Sequence, residues 1–219
     1  MRDALALLLI GAGQLALVAL HPRAAWILIW SGLSFCAVAA AYALQRPCVF
    51  GKRMDGTMAW GPCASLLPFL LLTWLLWYCQ TCFSREAVCD EVAPGLWLGR
   101  RAGLEELPPD ITLIVDLTSE FCEAQAVRAG RAYLCLPTLD NAASAPEAFR
   151  NAVREIVSYG GAVYIHCALG HGRSALVAAA VLMARGLAFD PEDALARVKQ
   201  ARPGDRLSRD QWEFLKKWS

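Results

Sequence analysis

The stretch His166-Cys167-Ala168-Leu169-Gly170-His171-Gly172-Arg173-Ser174 decides how this chain is read. Before it lies Ala162-Val-Tyr-Ile-His166, a short run that predicts a buried strand. After it, Ser174 to Arg185 is almost wholly apolar and predicts a helix stopped by Gly186. A turn from strand to helix is where an open α/β sheet keeps its ligand site. It aims backbone N–H groups and the positive end of the helix dipole at one point, and anions bind there. Gly170 and Gly172 let the backbone curl with its amides inward. A cysteine at the start of such a loop sits in that positive field, which favours the nucleophilic thiolate. Arg173, six positions on, carries a planar fork that matches two oxygens of a phosphate-like anion. Ser174 opens the helix within hydrogen-bonding reach of the sulfur.

Working outward, Leu96-Trp97-Leu98 reads as a strand ending at Gly99, Ile111 to Leu117 as a buried strand, and Ala132 to Leu136 as another closed by Pro137. Ala145 to Tyr159 has helical spacing through Phe149, Val153, Ile156 and Val157, with Pro146 in its first turn and Gly160-Gly161 beyond its end. Pro191 to Ala201 and Ser208 to Trp218 read as amphipathic helices. Strands alternating with helices predict an α/β sandwich around a mainly parallel sheet. Trp97, Tyr133 and Trp212 are expected in the core, and Arg100 and Arg101 on a solvated edge or, as the second choice, against lipid headgroups.

The other half of the chain differs in texture. Of 219 residues, 57% are hydrophobic and mean hydropathy is +0.37, which excludes a disordered or nucleic-acid-wrapping chain. Residues 1–90 hold six basic and four acidic residues and residues 91–219 hold fifteen and sixteen. The charge sits in the second part, whose size suits one ordinary domain. Ala4 to Leu20, Ala24 to Leu44 and Met58 to Cys79 are uncharged runs near the ~20 residues that cross a bilayer, so about three transmembrane helices are expected in residues 1–90. The first run reads as half of a helical hairpin rather than a cleaved signal, because no small-x-small site follows Leu20. Trp60, Trp74, Trp77 and Tyr78 suit interfacial anchoring. The nine cysteines form no paired framework. Cys79-Gln-Thr-Cys82 has neither a second pair nor a nearby histidine to make it a metal site, and it reads as the end of a helix.

The quoted H-C-x5-R-S segment resembles the signature of cysteine-dependent protein tyrosine phosphatases, and its surroundings resemble the dual-specificity branch. The likeness extends from Glu91 to Trp218. It runs through Val92 to Gly99, Ile111 to Thr118, Tyr133-Leu-Cys-Leu-Pro-Thr-Leu-Asp140, and the closing Arg202-Pro203 with Gln211 and Trp212. The resemblance implies a phosphoric monoester hydrolase with the tyrosine-phosphatase sandwich fold. Cys167 would attack phosphorus, while Arg173 and the amides of Ala168, Leu169, Gly170, His171 and Gly172 would hold the phosphoryl oxygens. Asp140 would serve as general acid and then base, and Ser174 would assist the leaving sulfur. His166 is expected to order the loop, and His171 either to touch substrate or to face solvent. Asp116 is the competing carboxylate for the acid. This chemistry needs no metal and no cofactor.

The loop carries no Lys or Arg at its variable positions, which favours a phosphoprotein substrate, whereas helices within reach of lipid raise the effective concentration of a phospholipid headgroup. Three readings follow in order: a membrane-anchored protein phosphatase, a lipid phosphate phosphatase using the same residues, and a phosphate-binding adaptor without turnover. Nucleic acid is not an expected partner. With three crossings the basic residues lean weakly toward an outward-facing catalytic domain. The need for a reduced thiolate and for phosphoproteins favours the cytoplasm, and a multi-pass protein with a cytoplasmic catalytic domain is the expectation.

Overall fold

The computed structural model describes residues 2–218. It divides into one unit formed by Met1–Arg53 with Thr57–Ser84 and a second formed by Met54–Gly56 with Arg85–Ser219.

The first unit is helical: α1 (Arg2–Leu17), α2 (Ala25–Ala43), α3 (Trp60–Ser65) and α4 (Leu67–Phe83). α1 and α2 pack at van der Waals distance because glycines meet. A Cβ on Gly11 would lie 2.8 Å from the Gly32 carbonyl oxygen and 2.7 Å from Cys36 Sγ. Phe69 of α4 stacks edge-on against Phe35 of α2 at 5.6 Å, and Trp30 donates to the Ser65 carbonyl at 3.1 Å.

Three spanning helices are not what forms. Among the described residues one helix, Pro22–Ala43, counted with its opening 3-10 turn, is long and apolar enough to cross a membrane by length and composition. α1 has 16 residues and α4 has 17. The third apolar run is broken because Leu66, at φ −94° and ψ 5°, closes α3 just before Pro68 sits in the first turn of α4. Among the described residues no cysteine forms a disulfide, Cys79 and Cys82 included.

The second unit contains β1 (Cys89–Ala93), β2 (Leu96–Arg100), β3 (Ile111–Thr118), α5 (Gln125–Arg128), β4 (Ala132–Thr138), α6 (Pro146–Ser158), β5 (Ala162–Cys167), α7 (Arg173–Ala184), α8 (Pro191–Ala201) and α9 (Arg209–Lys216). The sheet order is β1-β2-β5-β3-β4. β1 is antiparallel to β2, and every other pair is parallel. The edge strand β1 and the single turn α5 leave no clear sequence pattern; Cys89-Asp-Glu-Val-Ala93 is too short and too polar to read as a strand.

Alternation along the strands sorts the two faces. Leu113, Val115, Leu117, Val163, Ile165 and Cys167 join the core with α6, α7, α8 and α9, sealed at the rim by Phe149 against Phe214 and Trp218. Ile114 and Tyr164 face the other way, onto Ala102, Leu107, Val127, Trp97 and Tyr133. Asp116 and His166 share that second parity. Arg100 and Arg101 are not a solvated edge. Their side chains are 18% and 21% exposed, the first paired with Glu106 at 2.9 Å and the second lying over Phe121.

Candidate active site

β5 delivers Cys167 to the carboxyl end of the sheet, and α7 begins at Arg173, so the loop between them caps the amino end of a buried helix. Its carbonyls are turned outward. Ala168 O accepts from the Arg101 amide at 3.2 Å, Gly170 O from Arg202 Nε at 3.1 Å, and Leu169 O from Arg202 Nη2 at 3.4 Å. With these carbonyls engaged outside, the Gly170 N–H points in and donates to Cys167 Sγ at 3.3 Å. Ser174 Oγ lies 3.3 Å from the same sulfur. Only glycine serves at 170: φ is +81°, and a Cβ would stand 2.4 Å from the carbonyl carbon of Gly99.

Arg173 is 3% exposed. Glu120 holds its fork, with Nη2 donating to Oε1 at 2.8 Å and Nη1 to Oε2 at 3.1 Å, and Nη1 also reaches the Thr138 carbonyl at 2.9 Å. Burial works against the guanidinium charge, but Glu120 first, then Asp140 and Cys167, outweigh it and hold the group well above its ordinary range. Nε, 3.4 Å from Asp140 Oδ1, lacks a hydrogen-bond partner. Asp140 itself is 57% exposed at the mouth.

Asp116 is placed elsewhere. It is fully buried, taking bonds from the Thr118 amide and hydroxyl at 2.8 and 2.7 Å and from the Tyr133 hydroxyl at 2.6 Å. Burial, then the Asp116 carboxylate, push the Tyr133 phenol far up. Beside Asp116 lie His166 and Glu123, whose Nε2 and Oε2 stand 3.2 Å apart. The ligand-type atoms of Asp116, Glu123 and His166 lie within 4.8 Å of one another, close enough for an ion. Asp116 is already engaged by Thr118 and Tyr133, and Glu123 accepts from the Ala124 amide at 2.8 Å, so the two carboxylates read as a packed polar support beside His166, whose Nε2 lies near Glu123 without a hydrogen bond. The His166 ring stacks on Tyr164 at 5.6 Å.

His171 neither points freely to solvent nor into the cradle. Nε2 meets Glu86 Oε2 at 3.0 Å and Nδ1 meets Asp205 Oδ1 at 3.2 Å. Sequence reasoning passed over Glu120, Glu123, Glu86 and Asp205 as site residues. For Glu120 a signal existed, since an acidic residue just past the carboxyl end of a buried parallel strand lies where such sheets bind ligands.

The arrangement, a strand-borne thiol under an inward amide at a helix amino end with a buried guanidinium beside it, defines a cysteine-based phosphate-ester hydrolase. Residues 104–219 match the family model "Dual specificity phosphatase, catalytic domain", and the chain belongs to the dual specificity phosphatase family. The catalytic unit is a cysteine-dependent phosphomonoesterase. It is similar to the crystal structure of human DUSP28, at 32% identity and a TM-score of 0.51 over 59% of this chain and 94% of that one. It is also similar to Tk-PTP in its active form, at 30% identity and 0.54 over 60% and 95%. PTPMT1 in complex with PI(5)P shares the fold at 22% identity and a TM-score of 0.52 over 60% and 94%. No curated protein matches.

Proposed function

We propose that the chain is a membrane-anchored phosphatase that removes phosphate from proteins, with phosphotyrosine as the principal ester and phosphoserine or phosphothreonine as further ones. The observation that carries the mechanism is the Cys167 sulfur held at 3.3 Å by both the Gly170 amide and the Ser174 hydroxyl. As thiolate, Cys167 attacks phosphorus in line and forms a cysteinyl-phosphate while the P–O bond to the leaving group breaks. The amides of residues 168–172 and the unpartnered Nε of Arg173 take the phosphoryl oxygens. Asp140, its side chain 57% exposed at the mouth, protonates the leaving oxygen. The resulting carboxylate then accepts a proton from the water that attacks the cysteinyl-phosphate, releasing inorganic phosphate and the thiolate. Ser174 donates to the departing sulfur in that second step.

Anchoring is supported by the first unit's surface. Leu9, Trp26, Leu71 and Leu75 are 64%, 66%, 55% and 58% exposed on helices whose only charged residues are Arg2 and Asp3 in the first turn of α1, a surface suited to acyl chains. Because the thiolate must stay reduced, the catalytic unit is placed in the cytoplasm. The same surface favours a second reading, in which the substrate is a phospholipid headgroup presented by the bilayer. Full-length protein in nanodiscs separates the two when given phosphotyrosine and phosphoserine peptides in parallel with phosphatidylglycerophosphate and phosphoinositide vesicles. Preference for peptides establishes the first reading and preference for vesicles replaces it. Cys167→Ser must abolish turnover on every substrate; retained hydrolysis refutes the mechanism.

A further inference from the structure

We propose that His171 is a positioning residue, and that Glu86, His171 and Asp205 form a latch that ties the segment following α4 to the phosphate-binding loop and holds that loop in its anion-ready shape. The proposal rests on the assignment of residues 167–173 as that loop.

Glu86 follows the end of α4 at Phe83 by three residues, so it belongs to the connection out of the apolar helices. It nonetheless reaches the centre of the loop, 3.0 Å from His171 Nε2. Asp205, from the turn after α8, is 3.2 Å from Nδ1 and fully buried, with Oδ2 lacking a hydrogen-bond partner. A neutral imidazole has one N–H and serves one of these oxygens. Both contacts become hydrogen bonds at once when Asp205 keeps its proton. The neutral ring then donates from Nε2 to Glu86 and accepts at Nδ1 from protonated Asp205.

The surroundings favour that proton. Arg202 stands between Glu86 at 3.5 Å, Asp90 at 2.7 Å and Asp205 at 3.7 Å, three carboxylates against one guanidinium. Burial pushes the Asp205 carboxyl up to about 6, with His171 and Arg202 acting against the rise. Arg202 also binds the carbonyls of Leu169 and Gly170, so His171 and Arg202 together clamp the outer side of residues 169–171. Gly170 is the residue whose amide meets the thiol. Loss of the latch proton as pH rises therefore loosens the outer clamp and weakens anion binding inside.

The test uses tungstate, an oxyanion whose charge is constant over the range, titrated calorimetrically into full-length Cys167→Ser protein, so that turnover plays no part. Glu86→Gln and His171→Gln are each expected to weaken tungstate binding roughly three- to tenfold near pH 6. The double variant should lose no more than either single one, because the two residues act through one contact. In the parent, affinity should fall as pH rises from about 6 to 8. Asp205→Asn, which mimics the protonated carboxyl, should hold affinity level across that range. Unchanged affinity in Glu86→Gln, multiplying losses in the double variant, or a pH dependence that survives Asp205→Asn would overturn the latch. If Cys167→Ser binds no tungstate at all, the loop assignment fails, and the latch with it.

Discussion

Replacing Glu120 with Gln tests the reading that this residue aims Arg173. The carboxylate makes contacts of 2.8 and 3.1 Å with the guanidinium, and the two residues are 8% and 3% exposed. Glutamine keeps one acceptor and turns an NH2 group toward Nη1, so one charge-assisted bond is lost and a buried cation loses its counter-charge. Breaking a buried pair costs about 3–5 kcal/mol, and the Thr138 carbonyl at 2.9 Å still holds Nη1, which places this case near about 3 kcal/mol. For a unit of this size that is a fall of roughly 10 °C in Tm. The fork would also turn away from its single orientation, and a misplaced phosphate clamp should lower kcat/KM about 100-fold, equivalent to about 2.7 kcal/mol. Both are measured on full-length protein, by hydrolysis of an aryl phosphate and by thermal unfolding. Loss of Tm with kcat/KM per folded molecule within about threefold of the parent would show that Arg173 is oriented without Glu120. No change in either would remove Glu120 from the site.

Three further outcomes follow from the geometry. Asp140→Asn should lower kcat about 100-fold on alkyl phosphates with KM little altered, and much less on aryl phosphates whose leaving group needs no proton; an equal loss across a leaving-group series would exclude Asp140 as the acid. Gly170→Ala combines φ of +81° with a Cβ 2.4 Å from Gly99 and should cost about 2–4 kcal/mol, whereas Gly130→Ala, at φ +73° with nothing near its Cβ, should cost only about 1 kcal/mol. Equal denaturation midpoints would refute the close approach. Asp205, raised by burial from 3.8 to about 6, leaves the folded chain holding more protons than the unfolded one between those values. Stability therefore falls as pH rises through that window, by up to about 3 kcal/mol, and Asp205→Asn should flatten Tm against pH there.

How far the sequence carries depends on how local each cause is. The β5-loop-α7 segment is nine residues of consecutive signal, and the flanking strand and helix follow from their own periodicity. Helix α8 was legible from end to end because Asp190 caps it, its side chain accepting from the Asp193 amide at 2.7 Å, and Pro191 opens it. The apolar first unit misled where composition hid chain stereochemistry. Hydropathy runs smoothly through Leu66, but proline stereochemistry splits that run into α3 and α4. Pairings such as Arg173 with Glu120, 53 residues apart, and Arg202 with Asp90, 112 residues apart, leave no trace that one sequence can show.

The contest between Asp116 and Asp140 shows what a strand's period can decide. In β5 Cys167 shares the parity of Val163 and Ile165, which face α6 and α7, and in β3 that face belongs to Leu113, Val115 and Leu117. Asp116 falls on the opposite parity with Ile114, so its carboxylate is directed through the sheet toward Tyr133 and away from the sulfur. A one-residue register slip would be needed to bring it round, and it would bury Ile114 and Thr118 in the helical core and expel Val115. A carboxylate can meet this thiol's substrate only from beyond a strand end, where the period lapses. Glu120, two residues after β3, and Asp140, two after β4, both satisfy that condition. Burial then divides their roles: Glu120, 8% exposed and engaged on two nitrogens, has no freedom to carry a proton to a leaving group. Asp140, with a side chain 57% exposed and set against Arg173 Nε, has that freedom.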